Sequence, residues 1–294
     1  MSLLPNKTLF GGNVKTEKNE LVVKSNKLIQ ASYRLSLTEQ QMVLYSICKA
    51  REEQRGLSAN EPVSVEARSF ATQFGVDPTN VYRLLKEASL ALYERQVVIH
   101  DIHPKSGKPR VVKTRWISDA AYVDGAGIVE FTFAPKMIPF ITRLEKEFTS
   151  YRLEKIGNMT SVHAIRIYEL LLQYLTVGRR ELGIEELKEM LGIAGEYKAI
   201  KDFKKYVVDV AVRQINEHSD IHVGYDQRKT GRSVTHLIFT IKPRQELKSA
   251  KATKAPKRTT VDRDYVERHA RPGESYDQAY RRLLEEAGQQ RLAE

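Results

Sequence analysis

Apolar residues recur along most of this chain at three- and four-residue intervals, broken by short runs that alternate. In "SLTEQQMVLYSICKAREEQ", Ser36 stands three residues before Glu39 and apolar residues follow at once. That is capping-box spacing, so a helix is expected over about residues 37–53. Ala67, Phe70, Ala71 and Phe74 share one face of a short helix that Gly75 ends. Asp77 is placed to N-cap a second helix with Pro78 at its first position, and Val81, Leu84, Leu85, Ala88 and Leu92 supply its apolar side. "RQVVIHDIH", "PRVVKTRWIS" and "GIVEFTFAP" then read as strands, joined by loops containing "PKSGKPR" and "DGAG". Helix, glycine turn, helix and hairpins make the outline of a winged helix.

The pattern returns after a connector around residues 140–160 and a long apolar helix, "TSVHAIRIYELLLQYLTV". A short helix carries Ile184, Leu187 and Leu191, a turn falls at Gly192, a longer helix follows, and "DIHVGYD", "QRKTGRS" and "VTHLIFTIK" complete a hairpin. The repeat is one of structure rather than of letters. The fold class expected is α+β, with two tandem winged-helix domains. The expected divisions are a disordered arm at 1–20, a first winged helix at 21–143, a second at 144–245, and a basic linker with an isolated tail helix at 246–294. In that tail Ser275 and Gln278 stand at capping-box spacing.

Residues 197–215, "YKAIKDFKKYVVDVAVRQI", read as a single helix with two unlike faces. At ~100° per residue, Phe203, Val207, Val210 and Gln214 fall on one side and Lys198, Lys201, Lys204 and Lys205 on the other. A solvated face usually mixes both signs so that i,i+4 pairs form. Here Asp202 and Asp209 only flank the basic stripe. The stripe lies on the second helix of a helix-turn-helix, the element that enters a major groove of roughly 12 Å. A DNA-contacting face accounts for it better than an ordinary solvent face. Arg213 extends the face, and the hairpin tip adds Arg228, Lys229 and Arg232 around Thr230-Gly231.

The corresponding helix of the first domain offers Thr79, Asn80, Arg83 and Lys86, with fewer cations. It either contacts DNA or serves protein contact. Lys105, Lys108 and Arg110 either reach a DNA backbone or keep a loop soluble. Cations on phosphates give affinity without sequence information, so base-edge contacts must come from some of the same side chains. Two readers set one helical turn apart on one DNA face would span roughly 20 base pairs.

Composition narrows the partners. The chain has 294 residues, enough for two cores, and a net charge of +11. That charge favours polyanions, nucleic acid ahead of an acidic membrane surface. No run approaches the ~18 apolar residues of a membrane span, and the first twenty residues lack the apolar core of a signal peptide. The single cysteine, Cys48, excludes an internal disulfide framework and a cysteine-based zinc site, and its apolar surroundings make it a core residue. A cytoplasmic protein without cofactor or metal is expected.

Enzymatic readings fail on inspection. There is no G-x-x-x-x-G-K-[ST] phosphate loop and no G-x-S-x-G elbow. His100 and His103 would face opposite sides of a strand, and His218 and His222 straddle a helix end and a strand start. Neither pair suits a metal-dependent nicking site.

Three segments carry a resemblance. "VVKSNKLIQASYRLSLTEQQMVLYSI", "FTSYRLEKIGNMTSVHAIRIYELLLQY" and "DFKKYVVDVAVRQINEHSDIHVGYDQRKTGRSVTHLIFTI" resemble, in order, segments of the replication initiators of iteron-bearing, theta-replicating plasmids. The resemblance covers about residues 21–243 and leaves the tail outside. It implies binding to direct repeats at a plasmid origin, melting of an adjacent A·T-rich segment, and help in assembling the host initiator and replicative helicase. It also implies a monomer–homodimer equilibrium through the N-terminal domain, with autorepression by the dimer. It places Lys201, Lys204, Lys205 and Arg213 on the DNA-reading helix and Lys229 and Arg232 on the wing. Lysines where the family often has arginines weaken any inference of bidentate guanine recognition. A two-domain winged-helix transcriptional regulator shares every residue-level feature and remains the alternative.

Overall fold

The computed structural model of the chain describes residues 20–58, 60–142, 147–244, 269, 274 and 276–289. Residues 1–19 of the expected N-terminal arm, the basic linker and Ser275 of the tail capping box lie outside these residues, whereas Glu20 is placed, its carbonyl accepting from Leu153 N at 2.9 Å. Residues up to Arg244 form one compact unit, with two apolar cores.

The chain enters as strand β1 (Leu21–Ser25) and a short helix α1 (Asn26–Gln30). Helix α2 (Leu37–Glu53) starts where the capping box places it: Ser36 Oγ accepts from Glu39 N at 3.2 Å, and Ser36 N donates to Glu39 Oε2 at 2.9 Å. Strand β2 (Val63–Glu66) leads into α3 (Ala67–Phe74), whose apolar face is buried and which ends at Gly75 with φ +63°. Helix α4 (Val81–Glu94) begins three residues later than expected. Asp77 heads the intervening turn instead, its Oδ1 accepting from Thr79 N at 2.9 Å and from Thr79 Oγ1 at 2.8 Å. Strands β3 (Gln96–Ile102) and β4 (Pro109–Arg115) pair as a two-stranded hairpin, which Val98 bridges to Ser32, and β5 (Ile117–Val123) and β6 (Ile128–Phe133) follow.

After α5 (Ile138–Ile141) comes β7 (Phe148–Arg152), then α6 (Val162–Leu172), β8 (Arg179–Gly183) and α7 (Ile184–Met190). Gly192 turns the chain with φ +70° into the reading helix. Strands β9 (Ile221–Thr230) and β10 (Ser233–Pro243) close the unit. The two halves repeat one topology: short strand, helix, glycine turn, helix, hairpin. Their sheets have matching orders, β2-β6-β5 and β8-β10-β9. The β3–β4 hairpin is therefore an insertion between reading helix and wing in the first half. Its loop carries Lys105 and Lys108, while Arg110 on β4 pairs with Asp101 at 2.6 Å.

The halves are stitched by residues distant in sequence. β1 pairs antiparallel with β7, from Leu21↔Arg152 to Ser25↔Phe148. Val22, Ile29, Leu44 and Cys48 pack into the same apolar core as α6, α7 and the second reading helix. At the junction Lys24 and Glu169 are both fully buried, with Lys24 Nζ donating to both carboxylate oxygens at 2.8 and 2.9 Å and to Tyr33 Oη at 3.2 Å. Tyr151 Oη donates to Glu169 Oε1 at 2.7 Å. Arg166 donates to Tyr33 Oη and, through Nη2, to the Ala31 and Met190 carbonyls. Each buried charge thus meets an opposite charge or a hydrogen-bonding oxygen, the condition under which burial is tolerable.

Beyond residue 244, Tyr276–Gln289 forms helix α10, on which Ala279 and Leu283 are buried one turn apart.

Candidate nucleic-acid interface

The second reading helix is not the uniform element its wheel suggests. Tyr197 has φ +50°, so helix begins only at α8 (Ile200–Phe203). Residues Lys204–Val208 form a π-turn, with Asp209 N donating to Lys204 O five residues back, and α9 (Asp209–His218) completes the run. The buried positions explain the widening. Phe203, Val207, Ala211 and Ile215 are all fully buried at four-residue steps. Each such step drifts by ~40° on a helix of 3.6 residues per turn, and a wide turn takes up part of that drift. Val210, expected on the anchoring side, is consequently only half-buried, and Val208 and Ala211 fill the core. Gln214 is buried as expected. Its Oε1 accepts from Thr160 N and Ser161 N at 3.0 Å each, tying the helix to the start of α6.

Opposite this anchor, Lys198, Lys201, Lys205 and Arg213 are exposed, and Lys204 is half-buried. The side chains of Lys198, Lys201 and Arg213 have no ion-pair or hydrogen-bond partner among the described residues. Lys205 Nζ lies 4.9 Å from the Tyr206 ring centroid. Lys204 Nζ donates to Gln227 Oε1 at 3.0 Å, fastening the helix to the wing strand β9. Tyr225 Oη donates to Asp209 at 2.6 Å, and Asn216 bonds both Val223 N and Val223 O. These bonds hold the wing against the helix.

The wing turns at Gly231, φ +61°, with Thr230 and Ser233 paired across it. Lys229 and Arg232 are exposed, with no side-chain partner among the described residues. Arg232 at the tip and Lys198 before α8 border one open groove. Arg228 is differently placed: its Nε donates to Glu181 Oε1 on β8 at 2.6 Å, which holds the Glu181 carboxyl below its ordinary range.

The first half assembles its residues into a different electrostatic result. Thr79 is engaged with Asp77, Asn80 precedes α4, and Arg83 pairs with Glu87 at 2.9 Å. Lys86 Nζ sits 3.7 Å from the Tyr122 ring centroid and 3.1 Å from Asp124 Oδ1. Asp124 also accepts from Tyr82 Oη at 2.8 Å, and the Tyr82 and Lys86 contacts hold its carboxyl below the usual range. The first wing tip is therefore acidic and satisfied from its own reading helix, where the second is basic and open. The partner of Lys86 lies 38 residues away, a pairing that helical periodicity does not reveal.

No group of three or more metal-binding side chains occurs among the described residues, and no helix there is long and apolar enough to cross a membrane.

Two tandem winged helices, one presenting a free basic face, define a DNA-binding protein of the winged-helix class. Residues 21–172 match the family described as "Initiator Replication protein, WH1", and residues 183–241 match "Initiator Rep protein, WH2". The chain belongs to this replication initiator family. A "Replication initiation protein" of Escherichia coli is 26% identical over 230 residues, covering 76% of this chain and 70% of that one. An "Uncharacterized 27.6 kDa protein" of Escherichia coli is 24% identical over 226 residues, covering 74% and 93%. Among solved structures, the Pi initiator protein in complex with iteron DNA has a similar fold, with a TM-score of 0.61 at 20% identity over 76% of this chain and 97% of that one.

Proposed function

We propose that this protein initiates plasmid replication by binding direct repeats at the origin, with the second winged helix as its main reader. The observation that carries this reading is the contrast between the halves. Among the described residues no carboxylate pairs with Lys198, Lys201, Lys205, Arg213, Lys229 or Arg232, whereas Lys86 and Arg83 are each matched by one. Lys204 works from beneath, setting the wing against the helix, and Arg228 joins the interface by exchanging Glu181 for a phosphate. Thr79, Asn80, Arg83 and Lys86 form a secondary contact. The divisions at residues 20, 143 and 245 separate arm, first reader, second reader and tail in this scheme.

The protein acts by binding rather than catalysis. Bending a site of this size costs on the order of 1–6 kcal/mol, within reach of several copies on adjacent repeats, and host initiator and helicase then enter the opened DNA. Dimerisation through the first half, with repression of the protein's own gene, completes the scheme in the bacterial cytoplasm. The family match and the iteron-bound fold neighbour support it.

The test is titration onto DNA fragments tiled across the region upstream of the gene, at two salt concentrations, against a scrambled control. Stepwise occupancy at repeat spacing on one fragment, retained at higher salt, is the expected result. Uniform binding that collapses with salt would reduce the lysine face to a nonspecific handle.

A further inference from the structure

The exposed residues of the second reading helix fall in two adjacent rows. Lys201, Lys205, Asp209 and Arg213 form one, at four-residue steps, and Asp202 and Tyr206 form the other. The first row lies opposite the buried line of Phe203, Val207, Ala211 and Ile215, and its carboxylate, Asp209, accepts from Tyr225 on the wing. The second row holds a carboxylate and an aromatic ring and no cation. Residues four apart drift by ~40° on a regular helix. The π-turn beginning at Lys204 takes up part of that drift, bringing Tyr206 closer into line with Asp202.

Neither side chain is tied into the fold. The Asp202 carboxylate and the Tyr206 hydroxyl have no hydrogen-bond or ion-pair partner among the described residues. Tyr206 is 53% exposed, the one large aromatic of the second winged helix left so open among those residues. A lone exposed aromatic is ordinary on a protein surface. A carboxylate at the front of a DNA-reading helix is not, because the phosphates that attract the lysines repel it. Lys205 stands three residues on, within helical reach of Asp202, yet its Nζ lies 4.9 Å from the Tyr206 ring centroid instead. Asp202 also occupies the first turn of α8, where it complements the helix dipole without capping the backbone. That same opening part of a reading helix is what meets base edges when a helix-turn-helix docks. Cytosine presents its N4 amino donor there and thymine its C5 methyl, the groups that a carboxylate and an apolar ring suit.

We propose that Asp202 and Tyr206 are specificity-determining residues of the second reader. Asp202 accepts a hydrogen bond from a cytosine N4 amino group in the major groove, and Tyr206 packs its ring against the C5 methyl of a thymine about two base pairs away. The spacing follows from the helix: four residues advance ~6 Å, close to two base-pair steps of about 3.4 Å each. The inference rests on the reading of this helix as the main DNA reader and adds which of its side chains carry sequence information. Asp202 lowers affinity for DNA in general and restores it only where a cytosine answers, so its contribution is discrimination rather than binding strength.

Selection of binding sites by the full chain from a pool of random duplexes, run in parallel for wild type and variants at one salt concentration, tests it. The wild-type motif should contain a C·G pair whose preference Asp202→Ala weakens by about tenfold, the cost of one mismatched pair. Asp202→Asn should move the preference at that pair toward A·T, since an amide pairs with adenine N6 and N7. Tyr206→Ala should lose a T·A preference about two pairs away, and Tyr206→Phe should keep it. The two conservative variants carry the comparison if an alanine variant fails to fold. A motif unchanged in every variant would overturn the proposal while leaving the helix as the DNA reader, and tighter binding of Asp202→Ala to all sequences alike would reduce Asp202 to a helix-dipole residue. Preference lost evenly across the motif would mean a displaced helix and would overturn it as well. A wild-type protein that enriches no motif would instead strike the reading of this helix as a sequence-specific reader, and the proposal with it.

Discussion

Gly192 packs against the backbone of Tyr33: a Cβ on Gly192 would lie 2.4 Å from the Tyr33 carbonyl oxygen. Arg34 N would be 2.9 Å away, and Gly192 has φ +70°. The turn of the second helix-turn-helix is therefore seated directly on the linker that precedes α2. Gly75, the equivalent turn of the first half, has φ +63°, but a Cβ there would meet nothing within 4 Å. Gly75→Ala should cost about 1 kcal/mol, the backbone strain alone. Gly192→Ala should cost distinctly more, because neither neighbour is a side chain that can move aside. Urea midpoints of the two variants compare them directly, and equal losses would mean the seam yields easily.

Lys24 and Glu169 make a second test of that seam. Lys24→Met leaves a carboxylate in the interior with only Tyr151 and Arg166 to meet it, and should destabilise by about 3–5 kcal/mol. Lys24→Met/Glu169→Leu removes both charges and should recover much of the loss. A double variant no more stable than the single would show that the pair is not an energetic unit.

On DNA, Lys201→Gln/Lys205→Gln separates two roles for the basic face. If both side chains meet phosphates, affinity falls and the slope of log K against log salt flattens by roughly 2. If they meet base edges, affinity falls with the slope intact and specificity relaxes. The matching Arg83→Gln/Lys86→Gln variant should do less, since both cations are already paired. The reverse ranking would make the first half the main reader.

His163 predicts a pH dependence. Its folded value is depressed below 6.5, chiefly by burial and secondarily by Arg34 and Arg166, with Glu196 opposing. Below that unfolded value the unfolded chain binds the proton more readily than the folded one, so acidification favours unfolding. Stability contributed by the neutral ring is complete above about pH 6.5 and falls as the pH drops toward the folded value. A series of melting curves between pH 7.5 and 5.5 would be expected to show this loss, and His163→Phe should flatten it. Identical slopes in both proteins would assign the effect elsewhere.

Legibility followed locality. The capping box of α2, the glycine at the end of α3 and the lysine face of residues 198–205 depend on neighbours within a few positions, and the periodicity exposes them. β2 alternates Val63-Ser64-Val65-Glu66 but is only four residues long, too short a run to stand out, and β5 is largely exposed along "SDAAYV" and shows no apolar alternation. The π-turn at Lys204–Val208 arises from fitting Phe203, Val207, Ala211 and Ile215 to one core, which no helical wheel contains. Lys86 looked like Lys201 in sequence. What distinguishes them is Asp124, carried in by a hairpin whose position depends on the whole first sheet.

The pairing of β1 with β7 sets an order of events during synthesis. Lys24 leaves the ribosome 145 residues ahead of Glu169, and no partner strand for β1 exists until β7 emerges. At about 5–20 residues per second, that is a wait of roughly 7–30 seconds. Through that interval Val22 and Val23, wholly covered in the finished molecule, stay open to chaperones and to other nascent chains. β1 is made long before it is put away, so a message truncated before residue 148 yields a product with that strand bare.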